Sequence, residues 1–434
     1  MIDRTRRLLV SPDFGRLWAA AAVSSFGSYV TRLALPLAAI LVLEVGPLGV
    51  GVLRSAELIA AFGVGLIAGA WVDRLRRRPV MIWADLGRAA LLASIPVAAM
   101  LGVLTLAQLL VVAFGAAILT TFFDVADRSF LPDLVPRDRL HQANATLTAT
   151  TSVSEFVAFG VGGWLVQILT APIAIAIDAA SFVVSAMFLG RIRTAEQPPA
   201  PAAERSPITA EIREGLAALT TDPLLRPLAA ANAAVFAGWG IFGATFLLFT
   251  VKELGFDPGV VGLIAAMGGF SAFIGAVVAG PAARRLGYGR TLIAALACSA
   301  VGNLLIPLAP GATLLGVACL VGQQLLADSA LVVFEIGDVT IRQTIVPERL
   351  LGRVNAGMRV TGVGAQLAGT IVGALIAEAV GLRAALYLGA ALGAIGALVL
   401  AASRVRGLRA LPAGAGQSEA TAARDLAEEP VDTI

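Results

Sequence analysis

Residues 135–145 read VPRDRLHQANA, and 211 positions later residues 346–356 read VPERLLGRVNA. Pro136 and Pro347, Leu140 and Leu351, and Asn144 and Asn355 fall in register. The same offset carries AGAWVDRLRRRPVMI, from Ala68, onto AGPAARRLGYGRTLI, from Ala279, and sets Pro12 and Gly27 on Pro223 and Gly238. One offset shared by separated regions marks an internal duplication, so the second half repeats whatever the first half folds into.

What is duplicated is apolar. Of the 434 residues 58% are hydrophobic and 14% charged, with a mean hydropathy of +0.86. Soluble domains are near half apolar and a quarter charged, which excludes an ordinary globular protein. The apolar residues form long uncharged blocks, and about 20 such residues cross the roughly 30 Å hydrocarbon core. Twelve blocks stand between turn signals, at 17–43, 50–70, 80–103, 105–124, 144–168, 172–190, 228–251, 259–280, 291–309, 312–334, 354–379 and 384–402. Three Tyr and one His among abundant small aliphatic residues oppose a β-barrel, whose strands alternate and carry aromatic girdles. The expected fold is an all-α membrane protein of twelve transmembrane helices in two parallel six-helix repeats. Cys298 and Cys319 lie inside apolar blocks and read as small core residues, with no disulfide or metal site indicated. The first apolar stretch, after Arg4, Arg6, Arg7 and Arg16, is too long for a signal-peptide core and reads as a retained helix.

Basic residues decide the orientation. If the N-terminus is cytoplasmic, 26 Arg lie on the cytoplasmic side, and Lys252 and Arg383 alone lie on the other. The positive-inside rule then puts both termini in the cytoplasm of a multi-pass cell-membrane protein. The expected parts are a six-helix half at 1–190, a cytoplasmic linker at 191–226, a second half at 227–402 and a disordered tail at 403–434. The linker opens with a Pro/Ala/Glu-rich stretch and continues with Ile208, Ile212, Leu216 and Leu219 at helical spacing, the pattern of a short helix on the membrane surface.

Parallel six-helix repeats are the arrangement of the major facilitator superfamily, which binds substrate between its halves near the midplane. The sequence resembles that superfamily in its motifs as well. Gly69, Asp73, Arg74, Arg77 and Arg78 match its G-x-x-x-D-R-x-G-R-R signature between helices 2 and 3, with Arg76 where the second Gly stands. DRLRRRPVMIWADLGRA, LPDLVPRDRLHQANA and RQTIVPERLLGRVNA resemble the subgroup of macrolide efflux proteins and the enterobactin exporter. The resemblance covers nearly all of Phe14 to Ala402 and implies proton-driven export of an amphipathic organic molecule. It also implies that Arg77 engages an acid at the cytoplasmic end of helix 4, where Asp124 and Asp127 stand, and that this loop holds the cytoplasmic side closed in the outward-facing state. Arg284 takes the place of Asp73 in the second half, so such a lock is one-sided.

Ionisable groups inside spans cost about 2.5–3.5 kcal/mol each on insertion scales and point to function or to pairing. Glu155 comes out near the midplane, with Gln366 as its repeat partner, and with no His in any span it is the first candidate to carry a coupling proton. The structural alternative is a Glu hydrogen-bonded between helices. Arg32 and Asp178 share one depth below the outer face, and Asp328 and Arg359 another near the cytoplasmic side. Either couple can be an ion pair, and Asp178 and Asp328 are further proton candidates. Arg54 and Glu57, and Asp85 and Arg88, are i, i+3 couples that neutralise themselves. Asn232, Trp239, Gln323 and Gln324 set aromatic and amide groups on an otherwise apolar cavity, or pack as ordinary span residues. Ser154, Ala158 and Gly162 form a small face, for close helix packing or as an element that lets a gate bend.

The reading is a transporter working by alternating access, exporting an amphipathic molecule by proton antiport. Uptake or uniport on the same fold, or a receptor or scaffold that does not transport, are the alternatives. No GxxxxGK[ST] loop is present and no enzyme activity is expected. The proton is the only coupling ion expected, with no other cofactor and no metal. The expected partners are a small-molecule substrate and the lipid bilayer, not nucleic acid, and the expected state is a monomer.

Overall fold

The computed structural model describes residues 12–72, 74–194, 196 and 208–411. Among them α1 (Pro12–Leu41), α2 (Pro47–Val72), α3 (Arg77–Met100), α4 (Leu106–Leu134), α5 (Leu140–Leu169) and α6 (Ala171–Gly190) form the first half. After α7 (Ile208–Thr221) come α8 (Leu225–Glu253), α9 (Pro258–Leu286), α10 (Tyr288–Leu308), α11 (Leu314–Ile345), α12 (Glu348–Ala379) and α13 (Leu382–Ala401). Twelve of these, all but α7, are long and apolar enough to cross a membrane, and the chain is a multi-pass membrane protein. A helix satisfies its own main-chain polar groups, which is what allows it to span hydrocarbon.

The repeated VPRDRL and VPERLL stretches do the same local work. Val135 and Val346 close α4 and α11, and the prolines that follow take φ of −55° in both. Proline lacks an N–H and has its φ preset, so each stops one helix and starts the next. Packing repeats as well. In the first half α1 lies on α5 and α6, α2 on α4, and α3 on α4 and α6; in the second α8 lies on α12 and α13, α9 on α11, and α10 on α11 and α13.

The halves meet through α5 on α9 and α2 on α12, and they meet on one side. Call the side carrying α7 and the link between halves the linker face. At the opposite, far face, Gly163 near the end of α5 lies so close to α9 that a Cβ there would stand 2.9 Å from the Cα of Gly262. Gln167 accepts a hydrogen bond from the Gly259 N–H at 3.1 Å, and a Cβ on Gly51 would stand 2.5 Å from that of Ala374. The apolar cluster that joins the halves sits here, with Val30, Leu37, Val166, Phe249, Val261 and Leu386 among its members. Toward the linker face the core divides. Phe14, Val72, Met81, Phe130 and Leu189 form a cluster within the first half, and Leu228, Leu292, Phe334 and Leu400 one within the second.

Three expectations change. The fourth and tenth apolar blocks end in the sequence reading at Asp124 and just before Glu335, yet α4 runs to Leu134 and α11 to Ile345. Acids inside a helix are tolerated where they face other helices rather than lipid, as Asp338 does beside Arg342 at 3.0 Å. The linker helix does not lie free on a membrane surface: Leu216 and Leu219 pack on Val354 and Met358 of α12, and Arg353 bridges to Glu214 at 2.6 Å. The segment after α13 is folded through residue 411, with Val405 buried and the Gly289 N–H bonded to the carbonyl of Leu408 at 2.9 Å.

Candidate functional site

A cavity of about 700 Å³ lies between the halves. Each wall is one helical stripe, because residues three and four apart share a face. Ser28, Arg32 and Leu35 come from α1; Arg54, Glu57, Ala61 and Gly65 from α2; Ala113, Ala117, Thr120, Asp124 and Arg128 from α4. The second half contributes Trp239, Gly240 and Gly243 of α8 and Arg359, Gln366 and Thr370 of α12. Asp124 and Arg128 are exposed near the linker end of α4, where the core divides, so the cavity opens to the linker face and is closed at the far face.

A buried charge cluster forms its floor. Arg88 is 4% exposed, bonds Asp85 one turn earlier and donates to Thr120 Oγ1 at 3.3 Å. Its guanidinium lies between the rings of Phe123 and Phe182, 4.5 and 4.0 Å from their centroids. Aromatic faces on both sides stabilise a cation that water no longer reaches. Asp178, 1% exposed, shares this field and accepts a hydrogen bond from Ser181 at 3.0 Å. Gly27 of α1 is opposite: a Cβ there would collide with the Asp178 carboxylate, so only glycine lets α1 close over it.

Of the three sequence candidates for a proton site, Asp178 alone lines the cavity. Glu155 stands at the middle of α5, half-buried, with Tyr29 of α1 facing it. Asp328 closes a π-helical turn, Gln324–Asp328, at the middle of α11. There Gln323 donates to Asp328 and to Asn303, each at 3.3 Å. Arg32, Trp239 and Gln366 line the cavity; Asn232, Gln323 and Gln324 do not. Asn232 packs against Gly362 between α8 and α12, and Gln324 faces Gly268 of α9.

Neither cross-helix couple forms. Among the described residues Arg32 is not bridged to Asp178, nor Arg359 to Asp328. For the second couple the depth count fails because α11 extends past its expected end, which moves Asp328 from near the linker face to mid-membrane. Arg54 does bridge Glu57, at 2.9 Å, and Arg88 bridges Asp85, as expected of i, i+3 couples.

The motif loop is built differently from expectation. Asp73 lies outside the described residues, and Gly69 is on the last turn of α2. Arg74 is exposed. Arg77 engages Asp133 at 3.0 Å, not Asp124 or Asp127, because α4 ends ten residues later than the apolar block suggests. Arg78 donates to the carbonyls of Leu189, at 2.8 Å, and Gly190, closing the end of α6. Asp127 has a carboxylate oxygen without a partner. Glu196 accepts from the N–H groups of Arg77 and Arg78 at 2.8 and 2.6 Å, a cap on α3 that sequence reasoning missed. These contacts stay within the first half and its linker. Asp133→Asn is expected to destabilise the first half by about 1–3 kcal/mol, since the pair is mostly buried (Arg77 23% and Asp133 11% exposed) and Arg77 loses its charged acceptor; thermal unfolding in detergent checks this.

Comparison with known proteins agrees with this architecture. The chain is 28% identical over 254 residues to the MFS-type transporter y4rN of Sinorhizobium fredii, a match covering 58% of this chain and 61% of that protein. It is 28% identical over 385 residues to the multidrug efflux pump Tap of Mycolicibacterium fortuitum, covering 84% and 89%. Among solved structures, a bacterial homologue of the iron transporter ferroportin in its inward-facing state superposes with a TM-score of 0.73 at 20% identity, over 90% of this chain and 98% of that one. The profile of the Major Facilitator Superfamily matches residues 17–333 and 228–428, and the chain belongs to that superfamily.

Proposed function

We propose that the protein exports an amphipathic small organic molecule from the cytoplasm by proton antiport, through alternating access. The observation that carries this is the cavity: shut at the far face by backbone-close contacts between halves, open at the linker face, and walled by both repeats. The 26-to-2 distribution of basic residues supports a cytoplasmic linker face and cytoplasmic termini. Arg383, one of the two exceptions, is held by the carbonyls of Pro307 and Ala309 that close α10. Open to the cytoplasm, the cavity loads there. The named relative Tap and the resemblance to macrolide efflux and enterobactin export support the efflux direction.

Asp178 carries the proton in this reading, because it is the buried carboxyl at the cavity wall and sits where Arg88 and substrate both act on it. It releases its proton when the site opens to the cytoplasm and takes one when it opens outward, so proton entry drives substrate exit. Whole-cell accumulation of labelled amphipathic compounds, with and without an uncoupler, tests the proposal. Expression lowers accumulation and the uncoupler abolishes the difference; a rise in accumulation on expression indicates uptake instead. A reporter fused after Thr194 is expected in the cytoplasm and one in the 252–258 loop outside, and the reverse pattern overturns the loading side.

A further inference from the structure

The cavity holds more positive charge than its acids answer. Arg54 is matched by Glu57 on its own helix, and Arg88 by Asp85 with Asp178 beside it. Arg128 stands one turn from Asp124. Arg32 and Arg359 remain. Both line the cavity, both are exposed, and among the described residues neither has a carboxylate within 4.0 Å. Orientation signals do not explain them, because both lie inside spans. Water answers both while the linker face is open; closing that face takes the water away, and cations held away from bulk water are paired, which leaves a ligand as the partner in the closed arrangement.

The two come from opposite halves, Arg32 on α1 and Arg359 on α12. Arg359 reaches over to the first half: its Nη2 lies 4.0 Å from where a Cβ of Gly65 would stand, with the Thr121 methyl 3.8 Å from the same point. A side chain at position 65 would crowd the space into which the guanidinium points. Along α12, Gln366 and Thr370 follow Arg359 on the cavity face and add polar groups above it. At 1.5 Å per residue Arg32 is about 13 Å from the far end of α1 and Arg359 about 17 Å from the linker end of α12. α1 is about 45 Å long, so the two arginines lie roughly 15 Å apart in depth; one drug-sized molecule spans that interval, and a 700 Å³ cavity has room for it. Trp239, 42% exposed, and the half-buried Leu58 supply apolar contact.

We propose that the substrate is an amphipathic organic anion, drawn into the cavity by Arg32 and Arg359 and paired through its carboxylate or phosphate with one of these guanidinium groups, its apolar body against Leu58 and Trp239. The guanidinium fork matches the two oxygens of such a group. The proposal rests on the export reading and names its substrate class. It also couples binding to movement: closing the linker face takes water from the two guanidinium groups, and their unanswered charge opposes closure until an anion lies in the cavity. An anion with higher affinity for the closed arrangement shifts the equilibrium by that difference and no more.

The test uses the full-length protein in phosphatidylcholine nanodiscs, with energy transfer from tryptophan to 1-pyrenebutyrate, 1-pyrenebutyramide and a pyrenebutyl-trimethylammonium cation. The carboxylate is expected to bind at least about tenfold more tightly than the other two, with Arg32→Gln and Arg359→Gln each weakening it about tenfold. Neither variant changes amide binding, and Arg359→Lys restores part of the loss. No carboxylate binding, equal binding of all three probes, preference for the cation, or Gln variants that bind the carboxylate as wild type does would overturn the proposal. Export is read separately in everted vesicles under a pH gradient. Anion-selective binding without export keeps the site and removes the exporter reading; export of the cation without anion preference does the reverse.

Discussion

Gly163→Ala is expected to abolish most turnover while the protein folds, by disfavouring the one state in which the far face closes. A Cβ at Gly163 meets backbone, the Cα of Gly262 at 2.9 Å and its nitrogen at 3.1 Å, and backbone cannot rotate aside. Overpacking of this kind costs about 1–3 kcal/mol, and in the proposed cycle the cost falls on a contact made in only one of its two states. At 1.4 kcal/mol per factor of ten, the balance between states shifts by roughly 5- to 150-fold. Gly160 on the same helix provides the control, since a Cβ there has 3.9 Å of room. The measurement is labelling of Thr121→Cys, on the cavity wall, by an impermeant maleimide from each side, with Cys298 and Cys319 replaced by alanine. Gly163→Ala should label faster from the far face and Gly160→Ala as the parent does. Equal labelling of the two glycine variants would remove the far-face closure from the mechanism.

Asp178→Asn is expected to remove gradient-driven export and leave binding and exchange. Asparagine keeps the shape and the oxygen that accepts from Ser181, and Arg88 retains Asp85, so the floor of the cavity keeps its contacts. What disappears is the group that exchanges a proton in the proposed cycle. With the membrane potential clamped to zero, one proton exchanged per substrate molecule across a unit pH difference supplies 1.36 kcal/mol, an about tenfold concentration ratio. Wild type should build up a ratio of that order in everted vesicles, and Asp178→Asn a ratio near one. Glu155→Gln and Asp328→Asn serve as comparisons, and both should remain coupled. If Glu155→Gln loses coupling and Asp178→Asn keeps it, the carrier is the mid-membrane glutamate of α5, as depth and repeat position suggest.

Depth and repeat position are what a sequence offers, and their reach shows in particular residues. The twelve spans, the duplication and the pairs Arg54–Glu57 and Asp85–Arg88 were legible because each depends on neighbours within about one helical turn or on bulk partition into lipid. The small face of α5 was legible too: Gly162 does lie against Val30 of α1. Nothing local said that Gly163, one residue on, faces α9 across the two halves. The ends of α4 and α11 were misjudged because an acid facing other helices reads in sequence like an acid at the membrane surface, and the partner of Arg77 and the depth of Asp328 were misjudged with them.

By itself, then, the sequence determined how many helices cross the membrane, how they repeat and which face carries positive charge, because composition and 3.6-residue periodicity decide partition and pairing along one helix. Only the tertiary structure decided which ionisable groups share a cavity. Asp178 and Arg32 both reach it, yet Asp178 lies in the floor with Arg88 while Arg32 stands apart from it, and Arg359 comes from the other half. The rotation of each helix about its axis and the spacing between helices place those side chains, and both are set by packing between segments far apart in the chain.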